Sequence, residues 1–210
     1  MSDGQEMDVE ALRSELDQIK DAMGIRERYE GATQIWLLFG VLVAVAAGIS
    51  QYIVLDGLAG WLHWVNWAGV LGGGFTVWFL VTDTASEMSF SGEGKPHLGF
   101  QFMVVFLAVY PVSAVAEAYV PALSETAESA MMVSLILVML GVAYAVMGAS
   151  LRAYYVRRVD RYTFYVGTVL MVGLGTLVPH VEVLQTWAYA AFGGAYFVYA
   201  VAAWAFLSRT

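Results

Sequence analysis

The side chains able to do chemistry in this 210-residue chain are histidines, carboxylates and amides, because cysteine is absent. Without cysteine there are no disulfides, thiolate metal sites or cysteine nucleophiles. The three histidines are His63, His97 and His180. Histidine beside a carboxylate is the usual start of a metal shell. His63, His180 and Glu182 are the weak metal candidates here, yet apart from the near neighbours His180 and Glu182 no two such ligands share one turn of helix. Ordinary membrane-boundary residues account for them, and no metal or cofactor is predicted.

Glu117 stands alone in the apolar run AVAEAYV, just after Tyr110-Pro111. An ionisable group inside a membrane helix is costly and often functional. Pro111 removes a backbone donor and is expected to bend its helix. Gln51, Asn66, Tyr110, Glu117 and His180, with Ser113 and Gln185 nearby, would line a polar path. Such a path suits a small transporter or channel for an ion or small polar solute. A haem or metal protein is the weaker alternative.

Several activities are excluded by pattern. Gly148-Ala149-Ser150 suggests a rhomboid-like GxS serine, but its only distant histidine partner, His180, falls at the opposite membrane face. Roughly 30 Å of hydrocarbon would separate them, and a base must reach its nucleophile. There is no HExxH, and the glycine run at 72–74 lacks a P-loop pattern. A net charge of −8 argues against nucleic acid as a partner.

The elements that position these residues follow from hydropathy. The chain is 60% hydrophobic, with mean hydropathy +0.66, whereas a soluble domain is about half apolar. Apolar segments at 33–55, 61–82, 98–120, 129–151, 162–179 and 184–207 are each near the span of about 20 residues that crosses a bilayer. The expected fold is all-α: six transmembrane helices at 32–210 with a cytoplasmic N-terminal amphipathic helix at 1–31. Threading six spans places Arg26, Arg28, Lys95, Arg152, Arg157, Arg158, Arg161 and Arg209 on one side. Asp56, Glu117, Glu125, Glu128 and Glu182 fall on the other, without a base. The positive-inside rule then puts both termini in the cytoplasm, in a multi-pass protein of the cell membrane.

Small residues recur at interface spacing. Gly40, Ala44 and Gly48 form one ladder; Gly69 with Gly73, Gly141 with Ala145, and Ala190 with Gly194 form others. Close helix packing through Gly40, Gly48, Gly69, Gly73, Gly141 and Gly194 is expected. Trp67-Ala68 before Gly73-Gly74 is echoed by Trp187-Ala188 before Gly193-Gly194.

At the N-terminus, Val9, Leu12, Leu16, Ile19 and Met23 fall at heptad a and d positions. In a parallel pair Asp8 would face Arg13 and Glu15 would face Lys20. Residues 8–23 are therefore the expected site of homo-oligomerisation or of a cytoplasmic protein partner, beside the lipid bilayer itself. The competing expectation is a helix lying on its own bundle or on the membrane surface. Only Lys20 and Lys95 are lysines against 18 acidic residues, a halophile-like balance.

With Arg26-Glu27-Arg28-Tyr29 after the polar helix and Ala191-Phe192-Gly193-Gly194 in the last segment, the layout resembles a loose group of prokaryotic, haloarchaeal-type polytopic membrane proteins. The resemblance covers layout across most of the chain and implies no enzymatic activity. The leading expectation is a non-enzymatic scaffold or regulatory membrane protein that binds itself or a partner.

Overall fold

The structure, a computed structural model, describes residues 15, 32–74, 76, 98–119, 123–154 and 157–209. The heptad positions Val9, Leu12, Leu16, Ile19 and Met23, like His97 and most of the 75–97 stretch, lie outside the described residues. The helices are α1 (Ala32–Leu55), α2 (Trp61–Trp67), α3 (Leu98–Leu107), α4 (Val109–Tyr119), α5 (Glu125–Ser150), α6 (Arg158–Leu177), α7 (Glu182–Thr186) and α8 (Ala188–Arg209). A π turn (Ala68–Gly72) continues α2, and 3-10 turns follow α5 and α6 at Leu151–Tyr154 and Val178–His180. Among the described residues every regular element is helical.

Four helical stretches are long and apolar enough to cross a membrane: Trp36–Leu55, Glu125–Ala153, Arg158–His180 and Ala188–Arg209. The expected segment 98–120 is two helices rather than one, parted at Ala108. Its cause is Pro111, whose ring clashes with the carbonyl four residues back, at Leu107, and offers that carbonyl no N–H. The expected segment 61–82 is described to Gly74 and at Thr76, and leaves α geometry within its glycine run.

Local signals set the helix ends. Gly57, at φ 61°, closes α1. Leu58 N–H bonds to Ile53 O at 2.9 Å and Gly57 N–H to Val54 O at 3.3 Å, the paired bonds of a glycine-terminated helix. At the start of α5, Ser124 Oγ accepts from Ala127 N–H at 3.3 Å, and Glu125 and Glu128 face the positive end of the helix dipole. This start lies four residues before the boundary read from hydropathy alone, 129.

The helices assemble as two antiparallel pairs, α1 with α8 and α5 with α6; α3 and α4 lie along α5. Close approach within each pair needs glycine. A Cβ on Gly40 would stand 2.6 Å from Ala200 Cβ, and one on Gly193 would stand 2.7 Å from Ala47 Cβ. In the other pair, a Cβ on Gly141 would meet Val172 at 2.6 Å and the Thr168 carbonyl at 3.1 Å. A Cβ on Gly175 would meet Leu137 Cβ at 2.9 Å and the Ser134 carbonyl at 3.0 Å. By contrast, a Cβ at Gly48, Gly69, Gly73 or Gly194 would meet nothing within 4 Å. Interface spacing alone does not tell which face of a helix its neighbour occupies, and at these four positions no described residue approaches that closely.

The two pairs join through Trp36. Its ring lies 5.7 Å from Tyr144 on α5, 5.2 Å from Phe164 on α6 and 5.3 Å from Tyr199 on α8. Gly167 leaves the space that Tyr144 and Tyr199 fill. The phenols are paired as an apolar interior demands: Tyr144 and Tyr196 hydroxyls lie 2.7 Å apart, and Tyr199 donates to Thr163 O at 2.7 Å.

Gly141→Ala and Gly193→Ala each force the neighbouring helix to move and are expected to cost about 1–3 kcal/mol. Gly173→Ala, where a Cβ meets nothing within 4 Å, should be neutral or slightly stabilising. Unfolding in detergent measures all three; equal losses at the three sites would contradict the glycine contacts described.

Candidate functional site

α1 begins and α8 ends at the same end of the bundle, and α5 ends there as α6 begins. That end carries Arg152, Arg157, Arg158, Arg161 and Arg209. Asp160 there is buried and held by Arg157 through two bonds of 3.0 and 3.2 Å. The opposite end carries Asp56, Glu125, Glu128 and Glu182, and among the described residues no Lys or Arg.

Toward this acidic end, α1, α2 and α8 enclose a polar seam within otherwise apolar helices. Ser50, Gln51 and Asn66 are buried. Ala46 and Ser50 are four apart, so they share a face of α1, and Asn66 bridges them. Its Nδ2 donates to Ala46 O at 2.7 Å and to Ser50 Oγ at 3.0 Å. α2 is clamped from both sides by stacked rings. His63 lies on Tyr189 at 5.2 Å and Trp67 on Phe192 at 6.1 Å, both toward α8. Trp64 lies on Tyr110 of α4 at 5.1 Å.

Gln51 repairs a broken helix. The sequence predicts one helix over 184–207, but α7 and α8 part at Trp187. In an unbroken helix Ala190 N–H would bond to the carbonyl of Thr186, four residues back. Instead the Gln51 amide stands between them: Nε2 donates to Thr186 O at 2.9 Å, and Oε1 accepts from Ala190 N–H at 3.1 Å. A side-chain amide has the same donor and acceptor as a peptide group, so it fills the gap with both backbone groups satisfied.

The other sequence-derived residues are dispersed. His180 is exposed in the 3-10 turn after α6, and Glu182 is exposed in the first turn of α7. His63 belongs instead to the seam. Among the described residues no group of three His, Asp or Glu side chains is gathered as a metal would need. Of the polar path, Gln51 and Asn66 lie in the seam, Tyr110 lies against Trp64 on the far side of α2, and His180 stands at the exposed rim. Glu117 is in α4, and its side chain lies outside the described part of the structure. Ser113 donates to Tyr110 O in its own turn, and Gln185 to Pro179 O. Ser150 donates to Gln101 Oε1 at 2.6 Å at the basic end, the length of α6 away from His180.

Ser50 and Tyr189 belong to the seam as well, though no pattern in the sequence singles them out. The spacing Ala46-Ser50-Gln51 marks a polar edge on α1 facing α2 and α8, but only the partners' positions reveal it. Comparison with protein-family models, curated proteins and solved structures gives no significant match to this chain.

Gln51→Leu removes both bridging bonds and leaves Thr186 O and Ala190 N–H unpaired, a penalty of about 1–3 kcal/mol for each group that stays buried. Amide hydrogen exchange at Ala190 should quicken and the thermal midpoint fall. An Ala190 amide as protected as in the wild type would show that the helix closes its own gap.

Proposed function

We propose that this chain is a six-span integral protein of the cell membrane that works by association, with itself or with a partner, and performs no catalysis. The count of six is supported by parity. α1 ends and α5 begins at the acidic end, so the residues between them cross the membrane an even number of times. Two crossings, by 61–82 and 98–120, fit their apolar length. The separation of charge supports the orientation: the arginine-bearing end faces the cytoplasm together with both termini.

The observation that carries association is the unused glycine faces. Among the described residues, Gly48, Gly69, Gly73 and Gly194 have no close neighbour. A glycine facing lipid gives up both helix propensity and side-chain contact. In membranes such small-residue faces are where a further helix approaches most closely. The heptad at Val9, Leu12, Leu16, Ile19 and Met23 adds a cytoplasmic arm with complementary charges. Interior packing at Gly40, Gly141, Gly175 and Gly193 fits a solid scaffold better than a conduit.

The absence of cysteine makes orientation directly measurable. Single variants Asp56→Cys and Glu182→Cys should react with an impermeant maleimide on intact cells, and Arg152→Cys only after permeabilisation. The reverse pattern would refute the orientation. For association, deletion of residues 1–24, or Gly48→Leu with Gly194→Leu, should lower the mass of the protein in native nanodiscs or strip a co-purifying partner. If both forms keep the wild-type mass and company, the association reading fails.

A further inference from the structure

Two buried side-chain atoms in the seam have no hydrogen-bond partner among the described residues: His63 Nδ1 and Asn66 Oδ1. Both sit on α2, three residues apart, so they share one helix face with Cβ atoms about 5–6 Å apart. Neither group is free to turn away. The Asn66 amide is only 9% exposed, and its Nδ2 is committed to Ala46 O and Ser50 Oγ. Flipping the amide would set Oδ1 against the Ala46 carbonyl, acceptor to acceptor. Oδ1 is thereby aimed away from α1 as an acceptor without a donor. The His63 ring is stacked on Tyr189, 20° between planes, which fixes the plane in which Nδ1 lies.

A buried unpaired acceptor is costly in a protein interior and more so at membrane depth. Two unpaired atoms on one helix face, one of them on an amide already held by two hydrogen bonds, offer a compact donor a pair of acceptors. We propose that His63 Nδ1 and Asn66 Oδ1 together bind one small molecule that carries at least two N–H or O–H donors, an ammonium ion or a water. His63 takes part as the neutral imidazole with its proton on Nε2, which leaves Nδ1 to accept. Ser50 and Gln51 do not compete for the ligand, since they serve Asn66 and the α7–α8 break. The site is independent of the association reading above, because neither the open glycines nor the heptad takes part in it.

Nitrogen-15 NMR of the full chain in lipid nanodiscs, labelled at histidine, reads Nδ1 directly. The His63 signal is assigned by its loss in His63→Phe, which keeps an aromatic ring to stack on Tyr189. The expected result is an Nε2–H tautomer with Nδ1 displaced from the position of a free acceptor toward that of one receiving a hydrogen bond. Ammonium chloride and tetramethylammonium chloride then separate the two ligands, since the second cannot donate. A shift that grows in millimolar ammonium, with no response to tetramethylammonium, identifies the ion. A bonded Nδ1 indifferent to both salts identifies water. A free acceptor signal unmoved by ammonium, or a proton resident on Nδ1, overturns the proposal. Apart from the assignment, these measurements use the wild-type protein.

Discussion

One indole ties this bundle together. In water, burying apolar surface would suffice to hold helices in contact. In lipid, the tails around a helix are as apolar as its own side chains, so association must come from close packing and hydrogen bonds. Trp36 meets three other helices with one rigid ring, in edge-on or tilted geometries with Tyr144, Phe164 and Tyr199. Such aromatic pairs contribute about 0.5–1.5 kcal/mol each beyond the area they bury. The glycine contacts then set how closely each pair can come: Gly40 and Gly193 let α1 reach α8, Gly141 and Gly175 let α5 reach α6, and Gly167 admits the tyrosines between the pairs.

The second constraint is that no backbone or side-chain polar group can rely on bulk water at membrane depth. At the basic half of the bundle the phenols answer it with each other and with a backbone carbonyl. At the acidic half, amides do so: Asn66 bridges two groups of α1, and Gln51 enters the backbone ladder of the last helix. The polar residues that first look like a route for solute are mostly engaged in holding the helices to one another. His63 Nδ1 and Asn66 Oδ1 are the exception in this seam.

Much of the architecture is legible in the sequence because lipid simplifies the problem. Four of the long apolar runs are helices long enough to cross a bilayer, and the arginines of 152–161 gather at one end of the bundle. What a single sequence does not contain is azimuth. Gly193 and Gly194 are adjacent and identical in type, yet a Cβ on one strikes Ala47 and on the other meets nothing within 4 Å. Their roles differ by the 100° that separates successive residues on a helix. Breaks are half legible. Pro111 announces the one at Ala108, but nothing near Trp187 announces the other, because the residue that accommodates it lies 136 positions earlier, at Gln51. The echo of Trp67-Ala68 at Trp187-Ala188 marks places where both helices leave regular geometry, by a π turn and by a break.

That long-distance repair also orders the chain in time. α1 is the first of the described helices to leave the ribosome and α8 the last, yet the hydrogen-bond ladder around Trp187 is completed only by α1. Until then the Gln51 amide sits in a finished membrane helix with neither of its eventual partners made. The first described helix thus carries a docking receptacle for the last, and the two close the bundle through one amide.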